Sequence, residues 1–454
     1  MKKDQPNVVI YFTDDQGYGD LSCMGAKDFS TPVLDRMANE GIRFTDWYSN
    51  SPVCSPSRAS LLSGKYPSRA GVRSILRGHR TATGLPPSTK TIASVLKSNG
   101  YQTAITGKWH LGLKDECRPH NHGFDKTFGF FAGCIDFYSH IFYWGANRPG
   151  PSLNPTHDLW EDNTEIWKNG EYFTELIADK AIEYLREMKK NNKPFFLYVP
   201  FNAPHYPMHA PQKYMDRFPN LPWDRQVMAA MISAVDDSIG RIQDEMERLG
   251  FAENTLSFFT SDNGPSRESR NWLDGNQDPY YGGTAGKLKG HKFSLFDGGI
   301  KEPAIMHWPG KITPGQVSSE ICASMDVFPT ILDAAGIDKD VNVDGISLIP
   351  HVLNNEKNPQ RPIFWEMENQ KAVRKGKWKL VLDGQLVENE SPIAKIHLSD
   401  LESDPAEKIN LADSEPEIRD ELHNLLTDWI SGIEDEWKRN FSDLDYEYVA
   451  HGMV

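Results

Sequence analysis

The sequence is poor in cysteine, in long apolar runs and in positive charge. Five cysteines occur in 454 residues, at positions 23, 54, 117, 134 and 322. Their odd number and wide spacing exclude a disulfide framework and a CxxC metal pair. No apolar run approaches the length of a membrane span. The net charge of −14 argues against a nucleic-acid partner, so an anionic substrate would have to be held by a local group of cations.

The N-terminus lacks the apolar segment of a signal peptide, because residues 1–6 run directly into an apolar strand. As written, the sequence predicts a cytoplasmic protein. A chain whose signal peptide had been removed and replaced by a new Met would look the same, and its location would be periplasmic or secreted.

Short apolar runs bounded by turn residues alternate with helical patterns, which is typical of an α/β fold with a mainly parallel sheet. The clearest buried strands are predicted at 7–13, 102–105, 195–199 and 255–260. A long amphipathic helix is predicted at 224–249, with its apolar stripe in the core.

The pattern changes towards the C-terminus. After a helix at 326–335, shorter strands are predicted at 372–374, 378–382 and 396–398, followed by a helix at 415–433. A chain of 454 residues is longer than the chain that one small hydrophobic core usually accommodates. We therefore predict a large domain at 1–350 and a smaller subdomain at 351–454, with a short antiparallel sheet and a helix.

The segment from Cys54 to Arg58 combines a thiol, a predicted helix start and a guanidinium. Pro56 and Ser57 suit the first positions of a helix, so the helix terminus and Arg58 are expected to lower the pKa of the Cys54 thiol. A buried structural cysteine before a core helix is the alternative. A cysteine phosphatase loop is excluded, because its arginine would stand at position 60, which is Ser60.

This segment resembles the signature of the type I sulfatases, Cys-x-Pro-Ser-Arg with a glycine six residues after the arginine, here Gly64. In that family a maturation enzyme oxidises the cysteine to formylglycine, and the resemblance implies the same for Cys54. It also implies an alkaline-phosphatase-like fold, with a large, mainly parallel sheet flanked by helices. The expected activity is hydrolysis of sulfate esters on a carbohydrate.

Carboxylates follow two of the predicted buried strands. Asp14 and Asp15 follow the first strand, and Asp262 and Asn263 follow the strand at 255–260. Ligands of open α/β sheets gather at such strand ends, and oxygen donors suit Ca²⁺ or Mg²⁺. Caps of turns or helices are the alternative role of these residues. The resemblance implies that all four bind one ion, usually Ca²⁺, and that residue 54 completes its ligands.

Three further motifs match the family residue by residue. In Gly-Lys-Trp-His, Lys108 would bind sulfate and His110 would contact the formylglycine hydroxyl; an extended backbone would put both side chains on one side. His205, after the strand at 195–199, would donate a proton to the leaving alcohol. Alignment on the glycines at 298 and 299 assigns a sulfate-binding lysine to Lys292, although a slip to Lys289 remains open.

The resemblance implies a mechanism in which the hydrated aldehyde attacks sulfur, with Asp262 as base and Arg58, Lys108 and Lys292 neutralising the sulfate. Two alternatives remain. The first is a phosphate or phosphonate ester hydrolase with the same nucleophile and metal. The second is a glycan-binding relative without catalysis, which predicts a broken motif, and none is broken here.

Two segments, 133–140 and 289–299, look most like the arylsulfatase B branch, which removes 4-sulfate from N-acetylgalactosamine. The resemblance therefore favours an exo-acting enzyme for galactose or N-acetylgalactosamine type sulfates. The expected partners are a sulfated mono- or oligosaccharide and the maturation enzyme.

Overall fold

The structure is a computed structural model and describes residues 5–143, 156–268, 280–338, 341–385 and 394–442. Its strands are β1 (Asn7–Thr13), β2 (Ile42–Phe44), β3 (Trp47–Tyr48), β4 (Gln102–Lys108), β5 (Lys126–Phe130), β6 (Ile141–Phe142), β7 (Thr156–His157), β8 (Trp160–Glu161), β9 (Thr164–Glu165), β10 (Phe195–Pro200), β11 (Thr255–Ser261), β12 (Ala304–His307), β13 (Gln316–Ser318), β14 (Cys322–Ala323), β15 (Ile363–Met367), β16 (Gln370–Lys375), β17 (Trp378–Leu382) and β18 (Ile396–Asp400). Its α-helices are α1 (Pro32–Glu40), α2 (Cys54–Ser63), α3 (Pro67–Ala70), α4 (Ile92–Ser98), α5 (Phe173–Lys189), α6 (Gln212–Met215), α7 (Trp223–Arg248), α8 (Asp297–Ile300), α9 (Val327–Ala334), α10 (Ile349–Asn354) and α11 (Pro416–Asn440).

A large sheet forms the centre of the molecule, with the strand order β13-β2-β12-β11-β1-β10-β4-β5-β8-β9. The five central strands run parallel, in the order β11, β1, β10, β4 and β5. At one end of this group β12 pairs antiparallel with β11, and at the other end β8 pairs antiparallel with β5. Every residue of β1, β10 and β11 is buried. The continuous apolar runs in the sequence predicted this burial, because a parallel sheet is covered on both faces.

Helices cover both faces of the sheet, and β1 contributes to both apolar cores. Val9 and Tyr11 pack in the core beneath α1, α5 and α7, whereas Val8, Ile10 and Phe12 pack with α2, α4 and α9 on the opposite face. The predicted apolar stripe of α7 is buried, as expected: Val227, Met231, Val235, Ile239, Ile242 and Met246. This architecture confirms the predicted α/β class.

A second, four-stranded antiparallel sheet follows, in the order β15-β16-β17-β18, and α11 packs against it. It confirms the predicted short antiparallel sheet with a helix, although β15 was not predicted. The apolar core of this sheet also contains Tyr48, Val53, Phe293 and Leu295 of the larger part of the chain. The domain boundary at 350 therefore stays a prediction.

A buried ionic network joins the C-terminal sheet to α8 and β3. Lys379 in β17 is fully buried and lies 2.6 Å from Asp297 of α8 and 3.1 Å from Glu407. Tyr48 donates a hydrogen bond to Asp297 over 2.9 Å, and the Asp297 backbone N–H donates to Glu407 over 2.7 Å. The C-terminal sheet thereby fixes the segment that precedes β12.

We expect the Lys379→Met substitution to lower the free energy of unfolding by about 3 kcal/mol or more, because it leaves buried carboxyl groups without their cation. Denaturant unfolding followed by circular dichroism measures the change. Lys375→Met is the matched control: Lys375 also pairs with a carboxylate, Glu421, but is half exposed, and exposed pairs contribute about 1 kcal/mol at most. Equal effects of the two substitutions would contradict the role given to Lys379.

In the described parts of the chain, no helix combines the length and the apolar character that crossing a membrane requires.

Candidate active site

The predicted carboxylates meet at one edge of the sheet. Strands β1 and β11 are paired in register up to Thr13 and Ser261, so the residues that follow them lie side by side. The Asp15 backbone N–H donates to Asp262 Oδ1 over 3.1 Å, and Asn263 Nδ2 donates to Asp15 Oδ1 over 2.7 Å.

Three carboxyl groups share this buried space and titrate differently. Burial opposes the ionisation of Asp14, but Lys108, His205 and Arg58 outweigh it and hold the pKa of Asp14 well below its usual range. Burial raises the pKa of Asp15 to about 8, although Lys292 opposes the shift. Burial and the charge of Asp14 raise the pKa of Asp262 to about 6. Burial is the first cause of both raised pKa values, so a further cation held between these carboxyl groups would favour their ionised forms.

These residues fit a hard divalent cation. Ligand atoms of Asp14, Asp15, Cys54 and His205 all lie within 4.8 Å of one another. Asn263 Oδ1 is buried and has no hydrogen-bond partner among the described residues. Oxygen donors with an unpartnered amide oxygen suit Ca²⁺ or Mg²⁺. The structure adds the imidazole of His205 to this group, whereas the sequence predicted it only as a proton donor.

Cys54 is the first residue of α2 and is almost completely buried. Its Sγ donates a hydrogen bond to Asp14 Oδ1 over 3.3 Å. The prediction of a lowered thiol pKa is wrong: burial and the Asp14 carboxylate raise the pKa of Cys54 well above its ordinary value. The helix also begins two residues before Pro56, not at it. An unmodified thiol is therefore a poor nucleophile here.

Arg58 and Lys108 lie beside the carboxylates and are fully buried. Arg58 Nη2 lies 2.7 Å from Asp262 and 3.3 Å from Asp14, and its guanidinium stacks over the Phe12 ring. Lys108 Nζ lies 2.6 Å from Asp14 Oδ2. Both residues are thus brought together with Cys54, as their motifs suggested.

His110 does not continue an extended strand with Lys108. Strand β4 ends at Lys108, and His110 has a φ of 53°. Its Nε2 lies 3.2 Å from the Leu76 carbonyl oxygen, and its buried Nδ1 has no partner among the described residues. The backbone is therefore not extended here, which was the condition for both side chains to lie on one side, although His110 is buried at the same strand end.

The structure brings Lys292 to the site, and directs Lys289 elsewhere. Lys292 Nζ lies 3.0 Å from Asp15 Oδ2 and 3.3 Å from His205 Nε2. Lys289 Nζ instead donates to the Glu407 carbonyl over 3.2 Å. The segment between the two lysines packs closely against Gly298. A Cβ on Gly298 would lie 2.1 Å from the carbonyl oxygen of Gly290, so only glycine fits there.

His205 lies in a turn after β10, and its Nδ1 donates to the Tyr206 carbonyl over 2.8 Å. Its Nε2 therefore faces Lys292 and Asp15. The distance from Nε2 to Asp15 Oδ2 is 3.6 Å. Burial and the charge of Lys292 lower the pKa of His205 well below its ordinary value.

Sequence reasoning missed Glu268, whose carboxylate lies 2.5 Å from Lys292 Nζ. Glu268 follows no predicted strand and belongs to no recognised motif, so nothing in the sequence distinguishes it from a surface acid. Only the fold brings the segment that contains Glu268 next to the segment that contains Lys292.

Comparison with known families agrees with this geometry. A family model described as Sulfatase matches residues 6–337, which is more than half of the chain. A second model, described as the C-terminal part of N-sulphoglucosamine sulphohydrolase, matches residues 290–431.

Curated proteins are similar over most of the chain. N-acetylgalactosamine-6-sulfatase of Mus musculus is 36% identical over 394 residues, which cover 82% of this chain and 71% of that protein. Arylsulfatase A of Homo sapiens is 32% identical over 475 residues, covering 92% of this chain and 87% of that protein. The likeness to the arylsulfatase B branch stays a prediction, because these two relatives carry other names.

Among solved structures, Ps i-CgsB in complex with k-i-k-neocarrahexaose superposes with a TM-score of 0.82 and 27% identity, covering 97% of this chain and 98% of that one. The predicted family is thus confirmed by a family model, by curated relatives and by a solved structure. The chain belongs to the sulfatase family and is a sulfuric ester hydrolase.

Proposed function

We propose that this sulfatase removes sulfate from galactose or N-acetylgalactosamine type carbohydrates, using a formylglycine that a maturation enzyme makes from Cys54. The observation that carries the proposal is one buried cluster in which Cys54 lies among three cations, Arg58, Lys108 and Lys292, and three carboxyl groups. Buried cations are rare unless they are paired or bind an anion.

The three cations would neutralise the sulfate group. Sulfate esters react slowly because their own oxygens repel a nucleophile, so fixed positive charges around the sulfur lower the barrier. Lys108 pairs with Asp14, and Lys292 pairs with Asp15. These ion pairs fix both ammonium groups beside Cys54, where they would donate hydrogen bonds to a bound sulfate.

Asp14, Asp15, Asp262 and Asn263 would hold a divalent ion, Ca²⁺ or Mg²⁺, with residue 54 as a further ligand. A bound divalent ion would polarise a sulfate oxygen. Asp262 would accept the proton of the attacking hydroxyl group, and His110 would take the proton of the second hydroxyl when sulfate is released.

His205 would donate a proton to the leaving alcohol. Its Nδ1 is fixed by the Tyr206 carbonyl, so Nε2 is the nitrogen that faces the site. Burial and Lys292 keep the pKa of the ring low, and the negative charge of a bound sulfate ester would favour the protonated ring.

We expect the His205→Gln substitution to lower kcat on a sugar sulfate by about 100-fold or more, because a sugar alkoxide needs a proton when it leaves. On 4-nitrophenyl sulfate, whose leaving group is stable as an anion, the loss should be at least tenfold smaller. Steady-state kinetics on both substrates measure the difference. Equal losses on both would contradict the role of His205 as proton donor.

The sugar preference is supported by the similarity to a protein named N-acetylgalactosamine-6-sulfatase and by the sequence likeness of 133–140 to the 4-sulfatase branch. The test is sulfate release by mature enzyme from N-acetylgalactosamine 4-sulfate, N-acetylgalactosamine 6-sulfate and the matched galactose and glucosamine sulfates. Phosphate release from the matched phosphate esters is measured in parallel. Faster cleavage of the phosphates, or a preference for glucosamine sulfates, would overturn the proposal.

A further inference from the structure

Glu268 holds a buried carboxylate oxygen that none of the described residues satisfies. The side chain is 7% exposed. Its Oε2 accepts hydrogen bonds from Lys292 Nζ over 2.5 Å and from Ser266 Oγ over 2.8 Å. Its Oε1 is buried and has no hydrogen-bond partner among the described residues. An ionised oxygen without a donor is costly in a buried position, so a ligand is expected to supply one.

The groups around this carboxylate are those of the active site. Besides Lys292, its charge acts on Asp15, Cys134 and Tyr206, which are all buried. None of these three supplies a hydrogen bond to Oε1. Lys292 is itself divided between Glu268, Asp15 and His205. The unsatisfied oxygen therefore lies one contact away from the proposed sulfate site.

A bound sulfate would bring the missing donor within reach. Suppose that Lys292 Nζ donates a hydrogen bond to a sulfate oxygen over about 2.9 Å. Lys292 Nζ then contacts both that oxygen and Glu268 Oε2, so these two oxygens lie within about 5.5 Å of each other. The hydroxyl groups next to a sulfate ester on a sugar ring lie at comparable distances from the sulfate oxygens. Since a carboxylate repels a sulfate, Glu268 favours a substrate only through a hydrogen-bond donor.

We propose that Glu268 Oε1 accepts a hydrogen bond from the ring hydroxyl nearest to the sulfate ester, and that Glu268 is thereby a specificity-determining residue. For a 4-sulfate this is the 3-hydroxyl, and for a 6-sulfate it is the 4-hydroxyl. The inference rests on the proposed function, because it places the sulfate at Lys292. A carboxylate makes a strong, charge-assisted hydrogen bond with such a donor.

The preference should be large, because a substrate without the hydroxyl leaves a buried carboxylate unpaired. We expect the mature enzyme to favour the hydroxylated sugar over its deoxy analogue by about 30-fold or more in kcat/KM. The probes are the methyl glycosides of N-acetylgalactosamine 4-sulfate and its 3-deoxy analogue, and of the 6-sulfate and its 4-deoxy analogue.

The Glu268→Ala substitution should bring the ratio of kcat/KM for the hydroxylated sugar to kcat/KM for its deoxy analogue to within about threefold of one. Glu268→Gln keeps an acceptor oxygen and should restore part of this ratio. Any disturbance of Lys292 slows both members of a substrate pair and cancels in the ratio. Glu175→Gln is the control, because Glu175 pairs with Lys213 and Tyr214 away from Lys292, and it should keep the wild-type ratio. Thermal unfolding of each variant verifies folding.

A binding measurement gives a second readout that needs no turnover. Calorimetry with the unconverted thiol form of the full chain should show the same preference in the dissociation constants of the two sugars.

The outcomes separate the inference from the proposed function. If mature wild-type enzyme hydrolyses both members of a pair equally well, or if Glu268→Ala keeps the wild-type ratio, the role of Glu268 is wrong and the proposed function stands. If mature enzyme releases sulfate from none of the four sugars, the proposed function fails and the inference fails with it.

Discussion

Sulfate release is expected to fall by more than about 1000-fold in kcat when Cys54 is replaced by alanine, since the nucleophile is then absent. Sulfate release from a sugar sulfate, measured by ion chromatography, gives the effect. Protein that carries the unconverted thiol should be equally inactive, because burial and Asp14 keep the pKa of Cys54 high. Activity should therefore follow the converted fraction of the protein.

The mass of tryptic peptide 44–58 measures that fraction, because the aldehyde form is about 18 Da lighter than the thiol form. Cys23→Ala is the control. Cys23 is partly exposed and lies near Asp35 and Arg43, not near the site. Its replacement should leave activity within about twofold. Turnover by protein whose peptide carries only the thiol would contradict the formylglycine proposal.

The second large effect is expected at Asp262. The Asp262→Asn substitution should lower kcat/KM by about 1000-fold, because it removes one negative charge from the proposed metal site and one partner of Arg58. It should also abolish the rise in melting temperature that Ca²⁺ is expected to give the wild-type protein, since a ligand of the folded state stabilises it. Differential scanning fluorimetry with and without Ca²⁺ measures the second effect.

Asp236→Asn provides a matched control for loss of a buried carboxylate. Asp236 is buried, but it accepts hydrogen bonds from the backbone of Val33 and Leu34 at the start of α1. The melting temperature of this variant should still rise when Ca²⁺ is added, even if its melting temperature without Ca²⁺ is lower than that of the wild-type protein. An Asp262→Asn variant with the wild-type response would rule Asp262 out as a ligand.

The buried strands of the parallel sheet and the end of that sheet at which the polar residues meet could be predicted from the sequence, whereas the order of the strands was not predicted. Continuous apolar runs mark buried parallel strands, and the residues after such strands share one edge. Asp14 and Asp262 illustrate this, since β1 and β11 are neighbours in register. Strand β15 was not predicted, although it is as long as β17 and pairs with β16 over its whole length.

Long-range electrostatics could not be predicted. The sequence around Cys54 contains a helix start and an arginine, and both suggest a lowered thiol pKa. The opposite shift arises from burial and from Asp14, which is distant in sequence and lies 3.3 Å away in the fold. Glu268 was missed for the same reason, because its role depends on Lys292, which approaches it only in the folded chain.

The choice between Lys289 and Lys292 could not be made from spacing alone. Both precede the two glycines at 298 and 299 in a loop without regular periodicity. Their directions are set by tertiary contacts: the Lys292 backbone N–H donates to the Pro265 carbonyl over 3.1 Å, next to the carboxylates, while Lys289 reaches Glu407.

The near-complete burial of Cys54 has a consequence for biosynthesis. In the fold the Cys54 side chain is 2% exposed, which is too little to enter the active site of another enzyme. The proposed maturation enzyme would therefore have to act before the chain folds around Cys54. Asp262 and Lys292, which lie around the thiol in the fold, are translated long after residue 54. On the proposal that Cys54 becomes formylglycine, conversion falls in the period before these later segments fold around it, and we expect slower folding of those segments to increase the converted fraction.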